Sequence, residues 1–315
     1  MKRILFINSV CGNGSTGRIV SELYRYMEES GYECVVAYGR KDAPKAYKTI
    51  KIGCNASVYL HGIISRITDL HGFYSTLSTK RLLRKIDRYN PDIIHLHNLH
   101  GYYINVKLLF EYLAERNIHV IWTLHDCWAF TGHCASFDAI GCEKWRVMCG
   151  KCPQKRAYPA SFVLDSSKWN YLHKRELFTK LNSLTIVVPS VWLKERIKES
   201  FLSKYNVSVI QNGIDLTIFR PVDNDIKSIY HIEDKTVILG VANVWTHNKG
   251  LHHFLRLASQ LDDAYQIILV GLTEKQIAVL PSRILGIKKT NCTEELVKFY
   301  SAADILFNAS IEETV

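Results

Sequence analysis

The chain has 315 residues, 47% of them hydrophobic and 22% charged, the composition of an ordinary globular protein long enough for two domains, each with its own core. No window approaches the ~18 apolar residues of a membrane span, and the apolar run at residues 4–7 is shorter than the ~7–15 of a signal peptide, so a cytoplasmic protein is expected. The formal charge of +10 is uneven: residues 1–213 hold 30 Lys and Arg against 17 Asp and Glu, a balance of +13, and residues 214–315 hold 10 against 13, a balance of −3. A basic first part is suited to an anionic partner, either nucleic acid or an anionic membrane and its lipid phosphates.

Strand and helix signals alternate along the chain. Residues 3–7 are a short apolar run, followed by Gly12, Gly14 and Gly17 and a helical pattern over about 16–30. Residues 34–38, 92–97, 120–124 and 185–188 are further apolar runs with helical patterns between them. Such alternation predicts a parallel sheet covered on both faces. The pattern restarts after residues 207–210 and the turn Asn212-Gly213-Ile214-Asp215. Strands are expected at 237–241, 266–270 and 305–308, with helices at about 249–260 and 294–301. The domains are therefore placed at 1–213 and 214–315. The second is small for a doubly wound domain, and the chain is expected to be truncated.

Four features could carry chemistry. The loop Asn8-Ser9-Val10-Cys11-Gly12-Asn13-Gly14-Ser15-Thr16-Gly17-Arg18 joins a strand to a helix, where glycines and a helix N-terminus let backbone amides approach a phosphate or a sugar. Its spacing resembles a dinucleotide fingerprint, but the second strand ends Ala37-Tyr38-Gly39-Arg40 without the acidic residue that NAD binding requires; a plain tight turn is the other reading. His95, His97 and His100 follow one strand and His125 follows another, so both clusters should open on the crevice at the strand ends. His125 and Asp126 are adjacent in sequence, and adjacent side chains diverge, so they form no dyad. Lys249, at a helix start after the strand 237–241, can reach a diphosphate as a point charge.

The fourth feature is a cysteine-rich loop at 127–152. Cys134, Cys142, Cys149 and Cys152 could supply four thiolates to a structural zinc, with Cys127 or His133 as substitutes. Free thiols, a redox pair and disulfides are the alternatives. A closed four-thiolate site would brace the loop rather than perform chemistry.

Taken together, these residues resemble the family 4 glycosyltransferases. The markers are the glycine loop, Thr123-Leu124-His125-Asp126, Val188-Pro189-Ser190, Asn212-Gly213-Ile214-Asp215, Lys249-Gly250-Leu251 and Asn308-Ala309-Ser310-Ile311-Glu312-Glu313-Thr314. The cysteine loop is similar to that of a subgroup acting in bacterial surface polysaccharide synthesis. The resemblance implies an α/β GT-B fold of two doubly wound Rossmann-like domains facing a cleft, the second incomplete here. It implies a nucleotide-sugar donor, a lipid-diphosphate or polysaccharide acceptor, transfer with retention, no metal for the transfer and no nucleic acid. The expected place of action is the inner face of the cell membrane, at an anionic surface.

By the same resemblance His125 and Glu313 are catalytic. Gly14, Gly17, Asn243, Lys249 and Glu313 serve the donor, and Gly12, Arg18 and His97 lie on the acceptor side. Two departures stand out: a second diphosphate cation, usually Arg, is replaced by Asn243, and the chain ends before a second glutamate that would hold the ribose. A non-catalytic fragment that binds ligand or partner is therefore the alternative. A zinc-braced nucleic-acid-binding protein is disfavoured, because the sequence shows neither a recognition helix nor an aromatic stacking platform.

Overall fold

A computed structural model describes residues 1–116, 118–290 and 292–314. The chain divides into two units, Met1–Asn212 with Thr314, and Gly213–Glu313.

In the first unit the elements run β1 (Arg3–Asn8), α1 (Gly14–Glu29), β2 (Glu33–Tyr38), β3 (Thr49–Lys51), α2 (Asn55–Thr68), α3 (Thr76–Tyr89), β4 (Ile93–Leu96), α4 (Val106–Ala114), β5 (His119–Thr123), α5 (Ser167–Phe178), β6 (Leu184–Val188), α6 (Val191–Lys198) and β7 (Asn206–Val209). Among the described residues the sheet has seven parallel strands in the order β3-β2-β1-β4-β5-β6-β7. Residues of β1 alternate between two cores. Leu5 and Ile7 join Ile94, Leu96 and Trp122 on one face, while Ile4 and Phe6 join Val20, Tyr24 and Val36 on the other. That two-sided burial is why the strand reads as an unbroken apolar run. Helix starts are fixed locally: Asn105 caps α4 through Leu108 N at 3.1 Å, and Ser190 caps α6 through Leu193 N at 3.3 Å.

In the second unit follow α7 (Ile226–Ile229), β8 (Thr236–Val241), α8 (Leu251–Ala258), β9 (Tyr265–Leu272), α9 (Glu274–Ile277), β10 (Ile284–Lys288), α10 (Thr293–Ala302) and β11 (Ile305–Leu306). Its parallel sheet runs β10-β9-β8-β11 among the described residues. Strand residues again alternate, Val237 and Leu239 into one core and Ile238 into the other. Both sheets are Rossmann-like, with strand order reversing beside β1 and β8. Ligands of open α/β sheets bind at such switch points.

Two expected elements shift. The helix expected from residue 249 begins at Leu251, because Gly250 adopts φ +73° and separates a short turn at His247–Lys249 from α8. A side chain at Gly250 would meet the Ala309 carbonyl at 2.0 Å, so only glycine fits. The last strand is shorter than expected, and residues 307–313 form an irregular loop. No helix among the described residues is long and apolar enough to cross a membrane.

Candidate functional site

In the first unit the switch point lies between the loops after β1 and β4. They are tied together by the amide of Asn98, which donates to Asn8 Oδ1 at 3.1 Å. The glycine loop is largely self-satisfied. Gly12 N donates to Gly17 O at 3.1 Å. Gly12 and Gly14 take φ +70° and +66°, and a side chain at Gly12 would strike Pro44 at 2.6 Å. Gly17 is buried where α1 packs on its own loop, with Val10 only 3.0 Å from where a Cβ would stand. Gly14 and Arg18 are exposed. Arg18 forms no ion pair among the described residues.

Behind this loop stands a histidine stack. His95 stacks on His97 with centroids 4.2 Å apart, and His97 on His125 at 5.4 Å. His95 Nε2 meets Thr123 Oγ1 at 2.8 Å, and His97 Nδ1 meets His125 Nε2 at 3.1 Å. His97 is fully buried, and its Nε2 has no hydrogen-bonding partner among the described residues. A proton on that nitrogen would be an orphan donor, so the proton belongs on Nδ1, aimed at His125. His125 Nε2 then accepts, and its own proton sits on Nδ1. His97, expected on the acceptor side, is thus buried with its Nδ1 against His125 Nε2.

Burial keeps the stack neutral. It pushes His95 down to about 3 and His97 well below the ordinary range, with neighbouring imidazoles adding to the effect. His125 is pushed down to about 4 by burial, against the pull of Asp126.

Asp126 turns away from His125. Its Oδ2 accepts from His100 Nε2 at 2.6 Å and its Oδ1 from Trp128 N at 2.9 Å. Burial raises its carboxyl, but His100 and that amide outweigh burial and hold it below the usual range. His100 Nδ1 meets Tyr158 Oη at 2.9 Å. This Asp126–His100–Tyr158 chain was not legible in sequence, since Tyr158 lies 58 residues beyond His100.

The cysteine loop departs from expectation. Cys134, Cys142, Cys149 and Cys152 were expected to bind one zinc, but among the described residues no group of three or more His, Cys, Asp or Glu could hold a metal ion. The thiols are neighbours that act on one another's charge and take further partners in the loop. Cys149 Sγ accepts from Gly132 N at 3.2 Å. Cys152 shares a hydrogen bond with Cys134, which brings its thiol down to about 7 against the effect of burial. Cys142 is half-buried against the main core.

What braces the loop is the buried Lys174 of α5. Its Nζ donates to Trp128 O at 2.8 Å and Thr131 O at 3.2 Å, and lies 3.5 Å from the Trp128 ring centroid. Burial pushes this ammonium down to about 7, against the pull of Cys149 and Cys134. A second brace is the buried pair of His133 Nδ1 and Asp69 Oδ1 at 2.5 Å. The zinc expectation is thus not supported among the described residues, and polar side chains from α5 and the end of α2 hold this loop.

In the second unit the loops after β8 and β11 meet at the switch point. Ile311 N donates to Asn248 O at 2.9 Å. Lys249 Nζ forms an ion pair with Glu313, both about one-third exposed. Lys289, just after β10, donates its Nζ to Asn243 Oδ1 at 2.8 Å. Sequence reasoning missed Lys289. The position that resembles an arginine site carries Asn243, and a cation arrives there from a strand two places away in the sheet.

The sequence pattern of Glycosyltransferase Family 4 matches residues 16–218, more than half of the chain, and the chain belongs to that family. WcaC of Escherichia coli K12, assigned as a colanic acid biosynthesis glycosyl transferase, is 28% identical over 235 residues. The match covers 68% of this chain and 55% of that protein, so the chain spans little more than half the length of this relative. Sucrose-phosphate synthase from Thermosynechococcus elongatus superposes with a TM-score of 0.65 at 13% identity, covering 100% of this chain and 77% of the other. HepE of Anabaena, in complex with UDP and glucose, gives 0.61 at 13% identity, with 100% and 76% covered. WaaG, involved in lipopolysaccharide biosynthesis, gives 0.60 at 14% identity, with 99% and 76% covered. These likenesses identify the GT-B fold.

Proposed function

We propose that this member of Glycosyltransferase Family 4 is a hexosyltransferase of surface polysaccharide synthesis. In this reading it moves a sugar from a nucleotide diphosphate to a lipid-diphosphate or polysaccharide acceptor, with retention, at the inner face of the cell membrane. The observation that carries the reading is the pair of lysines gathered at the β8 switch point, Lys249 on Glu313 and Lys289 on Asn243. Two ammonium groups at the strand ends of a Rossmann-like sheet suit a diphosphate, and HepE, of similar fold, holds UDP and glucose.

The chemistry follows from charge. The Lys249–Glu313 pair is solvent-accessible and worth at most ~1 kcal/mol, so a diphosphate can displace the carboxylate from Lys249. Glu313 is then released to accept hydrogen bonds from sugar hydroxyls. Lys249 and Lys289 neutralise the negative charge that grows on the diphosphate as the bond from the sugar C1 to the phosphate oxygen breaks. The departing phosphate oxygen takes the proton of the acceptor hydroxyl while the new C1–O bond forms on the same face. In the first unit His125, neutral and with its proton on Nδ1, is a hydrogen-bond donor for a sugar hydroxyl rather than a general acid. The exposed Gly14 amide and Arg18 suit the phosphates and hydroxyls of the substrates. The lysines and these donors leave no step that requires a metal.

Thermal-shift titration with UDP-, GDP- and other nucleotide-sugars tests the donor site. Stabilisation by one nucleotide series, reduced in Lys249→Ala and in Lys289→Ala, is expected. Stabilisation as large in both variants as in the parent would overturn the assignment.

A further inference from the structure

We propose that α2 and residues 162–164 of the first unit form a face that docks on an anionic phospholipid bilayer, with a headgroup phosphate seated between Arg40 and Arg66. A helix on a globular protein normally turns its apolar stripe inward. α2 does the reverse. Its buried residues are His61, Gly62 and Ser65. Its exposed face carries Tyr59, Leu60, Ile63 and Ile67, exposed by 73, 59, 56 and 48%. These positions recur at three- and four-residue spacing and so form one stripe. None of the fourteen residues of α2 is acidic.

The stripe continues beyond the helix. Phe162 N donates to Arg66 O at 2.7 Å and Leu164 N to Ile67 O at 2.9 Å, which fixes this segment against the C-terminal turn of α2. Phe162, Val163 and Leu164 are themselves 58, 61 and 52% exposed. A contiguous exposed apolar patch on a folded unit marks an interaction surface.

Charge selects the occupant. Beside the stripe lies a cavity of about 370 Å³ lined by Arg40, Lys41, Arg66, Tyr59 and Tyr102. Arg40, Lys41 and Arg66 have no carboxylate within ion-pair distance among the described residues, and the one acidic residue of the lining, Asp42, is already paired with Lys51 at 3.1 Å. Tyr102 takes φ +68°, and the guanidinium of Arg66 lies 5.9 Å from its ring centroid. Unneutralised cations, tyrosines and an apolar stripe on one face match the layering of a bilayer surface, where phosphates lie above acyl chains. An apolar protein partner would leave those cations without counter-charge. Docking here rests on the membrane location proposed above, and vesicle binding reads it apart from the nucleotide stabilisation that tests the donor site.

The test is co-sedimentation of the whole chain with vesicles of phosphatidylcholine alone and of phosphatidylcholine with phosphatidylglycerol. Binding to the anionic vesicles, weakened by salt, is expected, with little to the neutral ones. The variant Leu60→Ser/Ile63→Ser/Phe162→Ser and the variant Lys41→Glu/Arg66→Glu should each lose about tenfold or more in partitioning. All five side chains lie on the surface, so the melting midpoints should stay near that of the parent, and Val279→Ser, at an exposed apolar site of the second unit, should bind as the parent does. Equal binding to both vesicle types, or unchanged binding by both variants, would overturn the proposal. So would a dimer, seen by light scattering, that only the apolar variant dissolves while vesicle binding persists.

Discussion

Acid should unfold this protein at an unusually high pH. His61 and His95 are pushed down to about 3 and His125 to about 4, in each case first by burial, from an ordinary 6.5. The unfolded chain takes up protons between pH 6.5 and those values that the folded chain refuses, so stability falls as pH falls through that window. From pH 7 to pH 5 each imidazole costs about 2 kcal/mol, and the three together about 5–6 kcal/mol. His71 and His97, held well below the ordinary range, also by burial first, add to the loss. His133 works the other way. Burial opposes its protonation, but the hydrogen bond and charge of Asp69 outweigh burial and raise it; its stabilising charge is fully present below pH 6.5. The remaining deficit is a large share of a typical 5–15 kcal/mol. The assay is urea unfolding followed by circular dichroism at pH 7, 6 and 5, on the parent and on His61→Gln. Among the described residues the His61 ring hydrogen-bonds Ser75 Oγ at 2.7 Å through Nδ1 and leaves Nε2 unpartnered, and glutamine can keep a hydrogen bond there without titrating. The variant should lose about 2 kcal/mol less between pH 7 and 5. A parent that loses under 2 kcal/mol over that range, or a variant with the same slope as the parent, would refute buried neutral histidines as the cause.

The ¹⁵N shifts of the imidazoles at neutral pH should place the proton of both His97 and His125 on Nδ1; an Nε2 proton on His97 would contradict the reasoning from its unpartnered nitrogen. Asp69→Asn should cost about 3–5 kcal/mol in chemical unfolding, because it strands a buried imidazole, and combining it with His133→Gln should cost less than the sum of the two single variants. Strictly additive losses would show that the pair is not coupled. Purified protein should carry well under one zinc per chain, and a strong chelator should leave its melting midpoint in place. Zinc near one per chain that chelation removes with loss of stability would restore the thiolate site.

Much of the architecture was legible because both sheets are buried on two faces. Residues 3–7 and 237–241 read as strands from continuous apolar runs, and the switch-point rule then directed attention to the loops that follow them. Within those loops the sequence distinguished residue types but not partners. His125 and Asp126 stood out together, yet the structure pairs them with His97 and His100, which follow a different strand. Lys289 was invisible for the same reason. Its role depends on β10 lying at the sheet edge with its end near Asn243, a consequence of strand order and not of local pattern.

The cysteine loop and α2 show where pattern misleads. Spacing in the Cys149–Cys152 segment satisfies a zinc rule, but spacing says nothing of the ammonium that α5 inserts beneath the loop. Buried Lys174 donates to two carbonyls of the loop, 46 and 43 residues earlier in the chain, a brace that cysteine spacing cannot reveal. α2 presents the opposite case. Its three- and four-residue apolar spacing is that of a core stripe, and the composition of the helix cannot say which side faces inward. The decision belongs to His61 and Ser65, which are buried by their neighbours despite their polarity and so turn Tyr59, Ile63 and Ile67 outward. Exposing that stripe forgoes roughly 1.5–3 kcal/mol per large side chain. That loss is offset where the stripe meets acyl chains, and an anionic bilayer also supplies the counter-charge that Arg40, Lys41 and Arg66 lack among the described residues.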